Sequence, residues 1–149
     1  MMLGADESSR QVLMLGLAGE VFALDACQVR EILDPVPVTR VPGAQPYVAS
    51  ILNVRGKVIP LADLRLRFGM PPASITPDTR FIVLEIDLGG ESATIGIVAD
   101  KVYEVTELDT TSLQKAPPIG MHWQPEFISG IGKWKDEFIV VPNLERIFN

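Results

Sequence analysis

The chain has 149 residues, 47% of them hydrophobic and 21% charged, with a net charge of −6 and a pI near 4.7. That length suits one domain, and that apolar content excludes a disordered chain unable to bury a core. The acidic balance, without any Lys/Arg cluster, argues against a nucleic-acid ligand, and a single cysteine, Cys27, excludes an internal disulfide.

Residues 1–11 carry neither a basic leader nor the apolar segment of a secretory signal. No apolar run approaches the ~18 residues of a membrane span, so a cytoplasmic protein without direct membrane insertion is expected. Val12–Leu17 (VLMLGL) and Val21–Leu24 (VFAL) flank Ala18-Gly19-Glu20 and read as a β-hairpin. Cys27, in the apolar neighbourhood FALDACQV, reads as a small buried hydrophobe. Gln28–Leu33 reads as a short helical turn. There Val29 and Ile32 share a face at i, i+3, with Glu31 at its rim, and that face either packs inward or lines a groove for a partner. Asp34–Pro46 carries four prolines and reads as extended, solvated chain.

Ile51–Val54 and Lys57–Leu61 read as two strands joined by a tight turn at Arg55-Gly56. Gly56 accepts the positive φ that such a turn needs, and Arg55 projects from the tip, either solvated or able to grip a partner carboxylate bidentately. Pro60 has no N–H for a ladder, which predicts an edge or bulged strand. Asp63 caps a short helix, LRLRF, which Gly69 ends, and residues 69–79 form the linker. Phe81–Leu88 and Ala93–Ala99 then repeat the first hairpin. The tag Val102-Tyr103-Glu104-Val105 answers Val29-Arg30-Glu31-Ile32 at an offset of 73.

A second set of matches follows. Pro46–Ser50 recurs as Pro125–Ser129 at an offset of 79, while Val58-Ile59, Leu64 and Phe68 recur as Phe138-Ile139, Leu144 and Phe148 at 80. Ala116–Pro125 repeats the proline-rich connection, and Asn143 caps the counterpart helix, LERIFN. The pattern reads as a duplication with halves 10–69 and 80–149, whose strands are free to exchange between barrels. The fold class expected is all-β: two small antiparallel barrels with a few short helices.

Catalytic chemistry has little to stand on. His122 and Cys27 are the only residues of their kinds, so a His/Cys metal cluster is excluded and no nucleophile motif accompanies His122. No phosphate-binding glycine loop follows a strand. Asp25, Glu31, Asp63 and Asp100 are the candidates for a carboxylate pair, which keeps a β-barrel enzyme as the reading from another class. Each also suits a cap, a strand end or a solvated position. No catalytic residue, metal or cofactor is expected.

The strings GEVFAL-DACQVREIL (19–33), TRVP (39–42), PYVASILNVRGKVIPLADLR (46–65), GIVADKV (96–102), FISGIGK (127–133) and FIVVPNLERIF (138–148) resemble the CheW-like domain family, from about residue 10 to 148. The resemblance implies two five-stranded SH3-like barrels around a shared interior and no catalysis. It implies an adaptor that joins the cytoplasmic hairpin tip of a chemoreceptor to the regulatory domain of a CheA-type histidine kinase. It places the partner contacts at Val29, Glu31, Ile32, Asn53, Arg55 and Gly56. Ser50 and Val54 depart from the family's usual Gly and Leu, and Pro142-Asn143 departs from its usual Asp-type cap. An alternative is therefore a twitching-motility or other non-flagellar chemosensory system. A regulatory domain of a longer protein is the third reading.

Overall fold

The computed structural model describes residues 9–115 and 124–148. Eleven strands are found among them: β1 (Ser9–Leu17), β2 (Glu20–Asp25), β3 (Val29–Leu33), β4 (Thr39–Arg40), β5 (Ser50–Val54), β6 (Lys57–Ala62), β7 (Arg80–Leu88), β8 (Glu91–Ala99), β9 (Lys101–Asp109), β10 (Ile128–Trp134) and β11 (Glu137–Pro142). Two short helices, α1 (Leu64–Arg67) and α2 (Leu144–Phe148), follow β6 and β11. The strands form a five-stranded sheet, β10-β11-β2-β1-β9, and a six-stranded sheet, β3-β7-β8-β6-β5-β4. Each curls into a small SH3-like barrel, and each draws strands from both sides of residues 69–79.

The apolar runs explain themselves once the core is mapped. Val12 and Met14 of β1, with Val21 and Ala23 of β2, fill the five-stranded barrel together with Leu108 and Ile139. Their neighbours Leu13, Leu15, Leu17, Phe22 and Leu24 face the other way, into the core between the barrels. In β7, Phe81 and Val83 point into the six-stranded barrel while Ile82, Leu84 and Ile86 join the shared core. Strands buried on both faces need no polar alternation, so they read as continuous hydrophobic stretches. Leu33 of β3 and Leu52 and Val54 of β5, near opposite ends of the six-stranded sheet, meet in one cluster, which is what curling requires.

Four tight hairpins carry the fold. Ala18-Gly19, Arg55-Gly56, Gly89-Gly90 and Lys135-Asp136 all have φ between 49° and 89°. Two consecutive positive φ values define a type I′ turn, whose twist matches that of the flanking strands. Asp63 accepts from Arg65 N at 3.0 Å and Asn143 from Arg146 N at 3.1 Å, so both expected caps are made.

Several expectations are corrected. Gln28–Leu33 is not a helical turn: a 3-10 turn spans Ala26–Gln28 and Val29 begins a strand that pairs with β7. Cys27 is exposed, because it sits in that surface turn with its backbone N–H donated to Asp25. The barrels are not purely antiparallel, since β11 pairs with β2, and β6 with β8, in parallel over two residues each. Pro60 therefore lies on an interior strand. It is tolerated because β8 joins β6 only from Leu61 onward, leaving no donor needed at Pro60. His122 and most of Ala116–Pro125 lie outside the described residues.

Candidate partner-docking site

β3 is an edge strand with a register shift between Val29 and Glu31. Val29 opposes Leu84 and Ile32 opposes Ile82, and directly opposed residues of an antiparallel pair share a face. Arg30 is the extra residue of the bulge. The face shared by Val29 and Ile32 is thus real but made by a bulged strand rather than a helix. Along that row Val29 packs on the inter-barrel core, whereas Ile32, at the open edge, keeps 43% of its surface exposed. Glu31 and Leu33 lie on the opposite side, toward the barrel interior.

Glu31 is where the two sequence motifs meet. Arg55, 24 residues away at the β5–β6 tip, donates from Nη1 to Glu31 Oε1 at 2.7 Å and from Nη2 to Oε2 at 2.5 Å. β3 is one edge of the sheet and β5 lies next to the other, so this bidentate pair spans the seam that the backbone ladder leaves open. The guanidinium fork holds the Glu31 carboxyl below the usual glutamate range, and Glu31 raises Arg55 in turn. The Arg55 side chain is still 76% exposed against 23% for Glu31. Among the described residues its remaining N–H donors find no protein acceptor, so they face outward.

The rest of the tip supports this geometry. Asn53 Oδ1 accepts from Gly56 N at 2.8 Å, locking the turn. Gly56 has a φ of 83°, and no atom lies within 4 Å of an added Cβ, so its glycine is needed for conformation and not for space. Beside the pair is a depression of about 380 Å³, floored by Val54, Ile59 and Val83 and rimmed by charge. On that rim Arg30 pairs with Glu85, Ser92 Oγ donates to Glu85 at 2.8 Å, and Lys57 Nζ donates to Thr94 Oγ1 at 3.4 Å. The Ser92 hydroxyl first and then Arg30 lower the Glu85 carboxyl.

Of the six residues singled out in the sequence, Glu31, Asn53, Arg55 and Gly56 form one connected tip. Ile32 flanks it on the other side of β3, and Val29 anchors the strand from below. Each carboxylate considered for catalysis has hydrogen-bond partners of its own, with Asp63 and Asp100 both bonding Arg65. Asp25 bonds Cys27 N and Arg10, Asp63 bonds Arg65 N and Ala73 N, and Asp100 bonds Ala18 N and Arg65. No group of three metal-binding side chains occurs among the described residues, and no helix there is long and apolar enough to cross a membrane.

Sequence reading missed one pair. Lys135 Nζ reaches Glu104 Oε1 at 3.0 Å, at the β10–β11 tip of the other barrel. β9 carries its own register shift, with Val102 opposing Leu15 and Val105 opposing Leu13. The signal was present in the offsets, since Glu104 answers Glu31 and Lys135 answers Arg55. Around it Tyr103, Val105 and Phe138 are exposed.

The model of the CheW-like domain family matches residues 11–149. Chemotaxis protein CheW of Klebsiella aerogenes is 25% identical over 147 residues, 99% of this chain and 86% of that protein. Protein PilI of Pseudomonas aeruginosa is 29% identical over 118 residues, 77% of this chain and 62% of its own length. The crystal structure of scaffolding protein TtCheW from Thermoanaerobacter tengcongensis superposes with a TM-score of 0.82 and 31% identity, over 94% of this chain and 88% of that one.

Proposed function

The chain belongs to the CheW-like domain family, and on that premise we propose that it is a non-enzymatic cytoplasmic adaptor in chemosensory signalling. It couples the cytoplasmic hairpin tip of a chemoreceptor to the regulatory domain of a CheA-type histidine kinase. The observation that carries this reading is the Glu31–Arg55 fork, which pins a mostly exposed guanidinium at the barrel tip. A flexible arginine would lose rotamer freedom on docking, whereas one already held by Glu31 has lost it in advance. Its outward N–H donors suit a partner carboxylate or a carbonyl at a helix turn.

The other residues divide the work. Ile32 supplies apolar contact next to the charged tip, Val29 fixes the height of β3, and Asn53 with Gly56 holds the turn that aims Arg55. Such a patch is small, so each contact is transient alone and gains strength by multivalency when receptors and kinases are clustered. Relatives named for chemotaxis and for scaffolding support the role.

The test is co-sedimentation with receptor and kinase. Arg55→Glu is expected to weaken association at least tenfold, about 1.4 kcal/mol. Its melting temperature should barely move, because an exposed, solvent-screened ion pair contributes little to stability. Glu31→Lys, which breaks the fork from the other side, should weaken receptor binding as well. Wild-type co-sedimentation of both variants would remove the tip from the interface.

A second reading keeps this chemistry and serves a twitching-motility or other non-flagellar chemosensory system. It is supported by the similarity to Protein PilI, a relative that does not carry the chemotaxis name. Deleting the gene and scoring swimming against surface motility separates the two.

A further inference from the structure

The two barrels share an apolar core, whose burial drives them together without a preferred direction of its own. Polar groups also cross the joint: the Asp100 carboxylate accepts from Ala18 N of one barrel at 2.8 Å and from Arg65 on the helix of the other at 2.7 Å, and Arg67 links the two helices directly. Arg67, in the last turn of α1, donates from Nε to the carbonyl oxygen of Ile147 at 2.9 Å, in the last turn of α2. Its guanidinium carbon lies 4.8 Å from the Tyr47 ring centroid and 4.7 Å from that of Phe127.

Those two rings belong to different barrels. Tyr47 sits on the 3-10 turn leading into β5, and its carbonyl accepts from Asp63 N at 2.7 Å. Phe127 sits on the 3-10 turn leading into β10, and its carbonyl accepts from Asn143 N at 2.7 Å. Each ring is therefore tied to the cap of its own barrel's helix, and the guanidinium lies over one ring from each side. A planar cation with fixed donors is directional where the surrounding core is not. The offset of 80 places Ile147 where the second half would carry its own Arg67, so a single arginine serves both halves.

We infer that Arg67 is the positioning residue of the inter-barrel joint: it sets the angle at which one barrel presents its hairpin tip relative to the other. A partner that touches both barrels meets a fixed geometry because of it.

The experiment needs no partner, so its failure is separate from failure of the adaptor reading. Nitroxide labels at Val58→Cys and Phe138→Cys, both well exposed and equivalent in the two barrels, are placed in a Cys27→Ser background. Double electron–electron resonance then reads the distance between barrels. The Arg67 parent is expected to give one narrow distribution, and folded Arg67→Met, checked by circular dichroism, a broadened or shifted one. Arg67→Lys, which keeps the cation but not the planar fork, should restore part of the narrowing. A parental distribution in Arg67→Met overturns the assignment. Tyr47→Leu removes a single ring and decides the matter if Arg67→Met does not fold: broadening supports the joint, and a parental distribution overturns it.

Discussion

The two barrel tips are built alike and finished differently. Each has a bulged edge strand carrying a glutamate and a type I′ hairpin carrying a cation that reaches it. At β5–β6 the cation is Arg55, bound through two hydrogen bonds and followed by Gly56. At β10–β11 it is Lys135, bound through one at 3.0 Å and followed by Asp136, with both residues at positive φ. Lys135 also lies 4.8 Å from the Trp134 ring, and Trp134 stands 6.1 Å from Tyr103. A lysine is a point charge that can swing between these neighbours, whereas the arginine fork is held in one plane. The shared parts are those that closing a barrel requires; the proposed recognition by Arg55 rests on the difference.

Grafting one tip onto the other breaks the comparison most sharply. Arg55→Lys with Gly56→Asp should reproduce the second tip in the first barrel and cost about tenfold in partner affinity, read by co-sedimentation. Unchanged binding would mean that charge alone matters there. A smaller effect separates turn strain from recognition. Gly56→Val should destabilise by about 1–2 kcal/mol in urea unfolding, because a β-branched residue resists positive φ. Asp136→Gly should instead be neutral or stabilise by about 0.5 kcal/mol. Equal responses at the two positions would contradict the turn assignments.

The smallest effect is in pH. The fork depresses the folded-state pKa of Glu31, so its contribution to stability is present above the ordinary glutamate pKa. That contribution is lost as pH falls through the lowered folded value. Glu31→Gln should remove this part of the acid dependence, and carboxyl titration followed by NMR should place the Glu31 midpoint below that of an ordinary glutamate. A midpoint at the ordinary value would mean that the fork is not kept in solution.

Local chemistry was legible in the sequence where it needed only neighbours. The hairpins, the caps at Asp63 and Asn143, and the Arg55-Gly56 turn all follow from adjacent residue types. β3 was misread because VREI fits both a 3.6-residue and a bulged two-residue period. Pairing with β7, about fifty residues on, decides between them. Cys27 was misread because an apolar neighbourhood in sequence is not one in space. The Glu31–Arg55 contact depends on curling a six-stranded sheet until its ends meet, and no periodicity reports that. The duplication into halves 10–69 and 80–149 stays a proposal; it accounts for the matched tips and for the single Arg67 between them.

The most direct measurement is a charge swap at the fork. Glu31→Arg with Arg55→Glu rebuilds the intramolecular pair in reverse and turns a carboxylate outward. If the partner reads the Arg55 guanidinium, the double variant should keep the thermal stability of the parent yet still fail to co-sediment with receptor and kinase. Recovery of parental binding would show that the fork only closes the barrel and would contradict the account.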